Sequence, residues 1–286
     1  MTIEAKIIED SITPTRARLV TYQLKYPRFI HAELMTHRVF SRNASSSRAI
    51  PIKKTFDAIE QEPALPIHWG INQKGMQARE EMDDFTAQAC QELILQARDG
   101  VLGVMRTLES MGLHKQIVNR YLEPWSHISV VVTATEFDNF FTLRCHPDAQ
   151  PEMKEIADQM ANLYYHNTPR RLNVGQWHLP YIKDVERFAP GNYNRSGQLK
   201  NEGNLIRASI ARCARVSYLT HDNQEPDIDL DLRLYQRLFD SKHMSPFEHI
   251  GTPNVDPNAW SGNLKGWIQY RKMVKGENCK NYEPPK

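Results

Sequence analysis

Thirteen consecutive residues, Thr36-His37-Arg38-Val39-Phe40-Ser41-Arg42-Asn43-Ala44-Ser45-Ser46-Ser47-Arg48, hold three arginines, one histidine and six small polar side chains. Such a run is poor core material and suits a phosphate or another polyanion. Arg38, Arg42 and Arg48 are fixed cationic donors. The serines and Asn43 are short enough to let ligand oxygens approach the backbone. A polar loop with solvated arginines is the plainer alternative. Phe29, Ile30 and Leu34, just upstream, predict a rigid base for the cluster.

A second constellation is His243-Met244-Ser245-Pro246-Phe247-Glu248-His249. Zinc requires ligands converging on one point. No second cluster completes a set and the HExxH spacing is absent, so no metal is expected. The local pattern predicts a helix start, with Ser245 as cap, Pro246 at the first helical position and Glu248 closing a capping box. That would leave His243 and His249 for a ligand.

Arg144 follows Phe140-Phe141 and precedes a helical pattern, where it can reach an anion that helix amides also hold. An ordinary Arg–Asp pair is the alternative. Arg120, in Asn119-Arg120-Tyr121-Leu122-Glu123-Pro124, says little alone. Arg207, Arg212 and Arg215 cannot all point one way on a helix, so at least one is structural or solvated. Residues 263–272 mix aromatic and cationic side chains, which suits a flat heterocycle with phosphates and equally an amphipathic element. Cys90, Cys145, Cys213 and Cys279 form no CxxC pair and read as reduced thiols. No spacing supports Cys145 or Cys213 as a nucleophile, and buried free cysteine commonly acts as a small hydrophobe.

The elements that must position these residues follow from periodicity. Val20, Tyr22 and Leu24 alternate and predict a strand ended by Pro27. The spacing of Ile30, Leu34 and His37 predicts a helix over 29–40, followed by a serine-rich loop over 41–52. A long amphipathic helix is expected over 72–98, with Phe85, Ala89, Leu93 and Ile94 on one side and Asp99-Gly100 ending it; another starts within 101–111. Val130–Thr135 fits a strand or a tightly packed helix. Residues 151–165 predict a helix with Pro151 in its first turn and Met153, Ile156, Ala157 and Met160 as its buried stripe. Residues 166–203 form a polar excursion in which Trp177 and Phe188 are candidate anchors. Helical pattern returns at 203–216 and 227–240.

The totals are those of a globular chain. Of 286 residues, 40% are hydrophobic and 24% charged, which argues against global disorder. The formal net charge of +2 gives no footprint for bulk nucleic acid. No apolar run has membrane-spanning length. Glu4, Lys6, Glu9 and Asp10 interrupt any leader pattern, so a cytoplasmic location is expected.

Taken together these pieces resemble the flavin-dependent thymidylate synthases. That family's hallmark is Arg-His-Arg, seven residues, then Ser; here Thr36-His37-Arg38 is followed by seven residues and Ser46, with Arg48 two further on. Asn119 to Pro124 is similar to the family's Ala-Arg-x-x-Leu-Pro segment, and Asn139 to Leu143-Arg144 to its Asn-x-x-x-Leu-Arg. Ala149-Gln150-Pro151-Glu152-Met153 is similar to its Ala-Gln-x-Glu-Ile. Two stretches that precede the hallmark in the family, Ala214-Arg215-Val216-Ser217-Tyr218 and His243 to His249, here follow it, so the order reads as circularly permuted. The departures are Thr36 for the first hallmark arginine, Glu33 for an upstream glutamine, Ala44 for an acidic residue, and Thr133 and Thr135 for an Asn and an Arg. Gln269, Arg271 or the 170–180 region are candidate replacements.

The resemblance implies an α/β fold of the α+β type: a thymidylate synthase-complementing-protein-like fold with a mixed sheet and long helices. It implies one domain over 1–286, with an excursion at about 166–203 and an aromatic-basic C-terminal extension at about 250–286. The implied activity is FAD-dependent transfer of a one-carbon unit from methylene tetrahydrofolate to C5 of deoxyuridylate, reduced to methyl with electrons from NADPH. A hydroxymethylase of deoxyuridylate or deoxycytidylate, and a non-catalytic nucleotide-binding protein, are the alternatives. By resemblance His37, Arg38, Asn139, Ser245 and Glu248 hold flavin. Ser46, Arg48, Arg120 and Arg144 hold a pyrimidine deoxynucleotide monophosphate, Arg144 polarises its base, and His243 sits near flavin and folate. Arg144, His243 and Arg48 are the expected catalytic set, and a homo-oligomer, in the family a homotetramer with flavin sites between subunits, is the expected assembly.

Overall fold

The computed structural model describes residues 2–188, 201–216 and 227–279. Strands β1 (Glu4–Ile12) and β2 (Arg18–Pro27) pair antiparallel. The alternation of Val20, Tyr22 and Leu24 continues to Tyr26, and all four side chains are fully buried on one face. β3 (Ser41–Ala44) pairs with β4 (His127–Ala134), which pairs with β2, both antiparallel. Residues 127–134 are therefore a strand; their β-branched side chains fit a sheet covered on both faces. β5 (Arg170–Arg171) lies parallel to β1, so the order β3-β4-β2-β1-β5 is a mixed sheet.

One face of the sheet carries the main apolar core. α1 (His31–Met35), α5 (Asp138–Arg144) and α6 (Pro151–His166) cover it with Leu34, Phe140, Phe141 and the stripe Met153, Ile156, Ala157 and Met160. Gln150 caps α6 by accepting from the Met153 amide at 2.8 Å, with Pro151 in the first turn as expected. Complete burial of a side chain such as Ile156 contributes roughly 1.5–3 kcal/mol.

The predicted helix over 29–40 ends at Met35. Phe40 turns inward between Phe137 and Phe140, and the chain bends at Thr36–Val39 to bring it there. Residues 41–44, expected as loop, are drawn into β3 because the edge of β4 offers them a ladder.

A second cluster joins α2 (Ile52–Gln61), α3 (Asp84–Ser110) and α4 (Lys115–Tyr121) through Phe56, Ile59, Leu102, Met105, Val118 and Leu122. This corrects the expected helix over 72–98. Asp83 caps α3 by accepting from the Thr86 amide at 3.0 Å, and the helix runs through Asp99-Gly100. A mid-helix glycine costs only about 1 kcal/mol, and burial of Leu102 and Met105 beyond it outweighs that. The apolar side expected on this helix is left uncovered at its N-terminal half: Phe85 is 83% exposed and Leu93 66%.

The sheet's other face is covered by the C-terminal part of the chain. α7 (Asp184–Arg187) lies within the excursion, together with β5 and the anchor Trp177, which packs edge-on against Tyr270 at 5.7 Å. Phe188 is half exposed, with the Arg170 guanidinium 5.4 Å from its ring centroid. α8 (Glu202–Arg215), α9 (Ile228–Asp240) and the 3-10 turn Ser245–His249 share a core of Ile206, Ile210, Ala211, Leu238, Phe247 and Ile250. β6 (Gly251–Pro253) pairs with β9 (Trp267–Gln269), and β7 (Trp260–Ser261) with β8 (Leu264–Lys265), ahead of α10 (Tyr270–Met273). The rest of the excursion, the pair Ser217-Tyr218 and Tyr282 lie outside the described residues. Among the described residues no helix is long and apolar enough to cross a membrane.

Candidate functional site

The bend after α1 is held from two sides. Arg42, on β3, donates from Nη1 to the carbonyls of Met35 at 2.9 Å, His37 at 3.3 Å and Leu34 at 3.4 Å. It thereby satisfies the open end of α1, as cations at helix C-termini do. The His37 ring meets Phe140 edge-on at 4.9 Å and stacks on Phe40 at 5.8 Å. His37 thus sits on a bend braced by packing, while Arg38 points to solvent with no ion-pair partner among the described residues.

Arg144, at the end of α5, closes the same corner. Its Nε donates to His37 Nε2 at 3.0 Å, its Nη1 to Glu33 Oε2 at 2.7 Å and its Nη2 to Thr36 Oγ1 at 3.3 Å. The expected Arg–Asp pair is instead this Arg–Glu pair; Asp148 is bound by Arg79. Burial first, then the nearby Arg144 and Arg42 guanidinium groups, hold the His37 pKa below the ordinary histidine value. Because Nε2 accepts from Arg144, the neutral ring carries its proton on Nδ1. That N–H makes no hydrogen bond among the described residues, which suits a carbonyl or phosphate oxygen. Glu33 and Arg144 line a cleft of about 1590 Å³, whose walls also carry His68, Arg79, Glu152 and Lys154.

The serine loop is pinned at both ends. Ser45 exchanges hydrogen bonds with Ser129 at 2.8 and 3.1 Å. Asn119, almost fully buried on α4, donates from Nδ2 to the carbonyls of Ser47 at 2.7 Å and Ile50 at 3.0 Å. Ser46 is half-buried, and Arg48 and Arg120 are exposed without ion-pair partners among the described residues. Asn119 therefore links the two cations, Arg48 on the loop and Arg120 one residue along α4. They are not among the residues lining the Glu33–Arg144 cleft.

The segment 243–249 corrects its expectation. It is a 3-10 turn preceded by Met244, with no side-chain cap from Ser245 and no capping box. Phe247 and His249 plug into the interior and hold the backbone in this tighter turn, while His243 is exposed and Ser245 and Glu248 are half-buried. Arg271 binds the Glu248 carboxylate and donates from Nε to Glu277 at 2.7 Å.

Gln269, suggested as a replacement, is buried and donates from Nε2 to Asn263 Oδ1 at 2.7 Å, the Glu248 carbonyl at 3.3 Å and Ser41 Oγ at 3.4 Å. Asn263 donates to the Val39 carbonyl at 3.0 Å and accepts from Ser41 at 3.0 Å. The hairpin requires Gly262: its φ is +62°, and a Cβ there would stand 2.3 Å from Gln269 Oε1. Sequence reasoning missed Asn119 and Asn263, whose only signals were a buried-helix position and a Gly-Asn turn.

Some candidates resolve as structural. Arg212 is buried, donating to Asp231 at 2.7 Å and Glu186 at 2.6 Å, and Arg215 also reaches Asp231. Burial, then Asp158, pushes the Cys145 thiol up to about 11, and burial pushes the Cys213 thiol up as well, so neither is a ready thiolate. Asn139 is exposed near the start of α5. The open Nδ1–H of His37 and Arg38, which has no ion-pair partner among the described residues, are donors that fit an anionic, hydrogen-bonding cofactor such as a flavin dinucleotide, whereas the Glu248 carboxylate is already held by Arg271.

Residues 9–170, more than half of the chain, match the family model of the thymidylate synthase complementing protein. A flavin-dependent thymidylate synthase of Thermosipho africanus (strain TCF52B) is 26% identical over 161 residues, covering 55% of this chain and 68% of that protein. The UMP/dUMP methylase PolB of Streptomyces cacaoi, solved with 5-Br UMP, aligns with a TM-score of 0.47 at 16% identity, over 57% of this chain and 88% of that one. Its 5-Br dUMP complex aligns with a TM-score of 0.48 at 15% identity, over 57% of this chain and 90% of the other. The match runs from β1 through the hallmark bend, the Asn119 and Arg144 segments and α6 to β5, and the chain belongs to the thymidylate synthase complementing protein family, that of the flavin-dependent thymidylate synthases.

Proposed function

We propose that the chain transfers a one-carbon unit from methylene tetrahydrofolate to C5 of deoxyuridylate, as a methyl group, with FAD as cofactor and NADPH as electron source. The observation that carries this reading is Arg144, fixed by His37 and Glu33 on the wall of a cleft, where a guanidinium can meet a pyrimidine carbonyl. Negative charge that develops on that carbonyl as C5 becomes nucleophilic is stabilised by such a prepositioned donor. Ser46, Arg48 and Arg120 hold the phosphate; the two arginines have no competing ion pair among the described residues.

His37, through its Nδ1–H, with Arg38, Asn139, Ser245 and Glu248, holds the flavin, and His243 faces flavin and folate. FAD, when bound, supplies the electrons that take the one-carbon unit to methyl. Arg48 and Arg120 lie outside the Arg144 cleft, and a homo-oligomer, by resemblance a homotetramer, brings one subunit's phosphate group of residues to another's cleft. The test is anaerobic turnover with FAD, NADPH, methylene tetrahydrofolate and deoxyuridylate, read by mass spectrometry. A methyl product is expected. A product one oxygen heavier would make the chain a hydroxymethylase, and no nucleotide binding would sink the reading.

A further inference from the structure

Glu33 fixes Arg144 in the proposed reaction but is given no contact of its own with the base. Its Oε2 accepts from Arg144 Nη1 at 2.7 Å, while Oε1 makes no hydrogen bond among the described residues. The side chain is 34% exposed and lines the same cleft as Arg144, which is 19% exposed. The wall thus shows an ionised acceptor and a cationic donor side by side. We propose that Glu33 opens the site to a 4-aminopyrimidine, so that deoxycytidylate is bound alongside deoxyuridylate. The proposal rests on the reading that Arg144 faces the base.

The complementarity is one of donors and acceptors. Cytosine carries an N4 amino donor next to the N3 acceptor; a carboxylate takes the first and a guanidinium supplies the second, a pairing that carboxylate side chains make with cytosine N4 elsewhere. Uracil has a carbonyl at the same corner, and a carboxylate facing O4 repels it. Uracil therefore enters turned, giving N3–H to Glu33 and a carbonyl to Arg144. A neutral amide at this position, the group the family resemblance places there, lacks the charge that favours the amino group. The bond from Glu33 to Arg144 also fixes the guanidinium, so a purely structural role has to be separated from base reading.

Equilibrium binding of deoxycytidylate and deoxyuridylate to the full-length protein, wild type and Glu33→Gln, separates them. The wild type is expected to bind the two within about tenfold of each other, and Glu33→Gln to weaken deoxycytidylate by roughly tenfold or more while deoxyuridylate holds or tightens. A wild type that rejects deoxycytidylate by more than about a hundredfold, or a variant that loses both nucleotides equally, overturns the proposal. If Glu33→Gln does not fold, the wild type is titrated with N4,N4-dimethyl-deoxycytidylate, which lacks both amino donors. Weaker binding than deoxycytidylate is expected, and equal binding overturns it. Binding of neither parent nucleotide would remove the underlying reading of Arg144 and this inference with it, whereas a strict preference for deoxyuridylate would remove only the inference.

Discussion

Thr21 and Thr133 stand opposite each other in β2 and β4, and their hydroxyls, 2.7 Å apart, form the centre of a buried hydrogen-bonded row. Thr21 continues to His178 Nε2 at 2.8 Å and His178 Nδ1 to Ser11 at 2.9 Å; Thr133 continues to His249 Nδ1 at 2.7 Å. The row fastens the excursion and the 3-10 turn to a sheet face that would otherwise bury bare polar groups. Thr133→Val keeps the shape and leaves His249 Nδ1 without its partner, in a ring whose Nε2 already has none among the described residues. A loss of about 1–3 kcal/mol in urea unfolding is expected; an unchanged midpoint would show that the row does not hold the layers together.

The same histidines set an acid limit. Burial lowers the pKa of His249 to about 3 and that of His178 well below the ordinary 6.5, and His31 and His127 fall to about 4 for the same reason. Each is protonated in the unfolded chain before the folded one, so its contribution is complete above pH 6.5 and declines below it, by about 1.4 kcal/mol per pH unit for a fully buried ring. Glu9 acts in the opposite sense. Burial outweighs Arg187 and Arg170 and raises it to about 7, so between 4.5 and 7 the folded state binds its proton and offsets one histidine. Stability measured from pH 7 to pH 5 should fall, and a rise would contradict the neutral rings.

Arg144→Ala removes the donor proposed to face the base, while α5 stays anchored by Phe140 and Phe141. Nucleotide affinity should drop by roughly a factor of ten or more, the scale of a lost charge-assisted bond, with thermal unfolding little changed. Unaltered affinity and turnover would end its assigned role.

Arginines that look alike in sequence separate in structure. Arg48→Ala and Arg120→Ala should stay within about 0.5 kcal/mol of wild-type stability but weaken phosphate-bearing ligands, with a reduced dependence on salt. Arg212→Ala takes one of two guanidinium partners from the buried Asp231, leaving Arg215, and is expected to cost about 1–3 kcal/mol. Calorimetry beside nucleotide titration would expose any exchange of these roles.

Gly262→Ala adds a Cβ at positive φ, directly against Gln269. It should destabilise the protein by more than about 1 kcal/mol and lower flavin retention by displacing Gln269 from Ser41. Wild-type retention of added FAD, measured by absorbance, would detach the hairpin from the cofactor region.

Periodicity carried α6 and β2 because their buried faces repeat along the chain. α3 and the 29–40 helix were misplaced where burial, rather than local pattern, set the ends: Leu102 and Met105 pull α3 past Gly100, and Phe40 bends the chain after Met35. His37, Arg144 and Glu33 were each singled out in the sequence, and the fold brings the three together. That Glu33 would grip Arg144 was not legible, because the two lie 111 positions apart and no local signal links them. Asn119, His178 and Asn263 are single polar residues in ordinary surroundings, and only the fold shows what they hold.

The clasp of Asn263 and Gln269 on Val39 and Ser41 has a consequence for biosynthesis. The bend leaves the ribosome more than two hundred residues before its brace. A nascent chain therefore carries His37, Arg38 and the serine loop without the residues that lock them until residues 263–269 have emerged and docked.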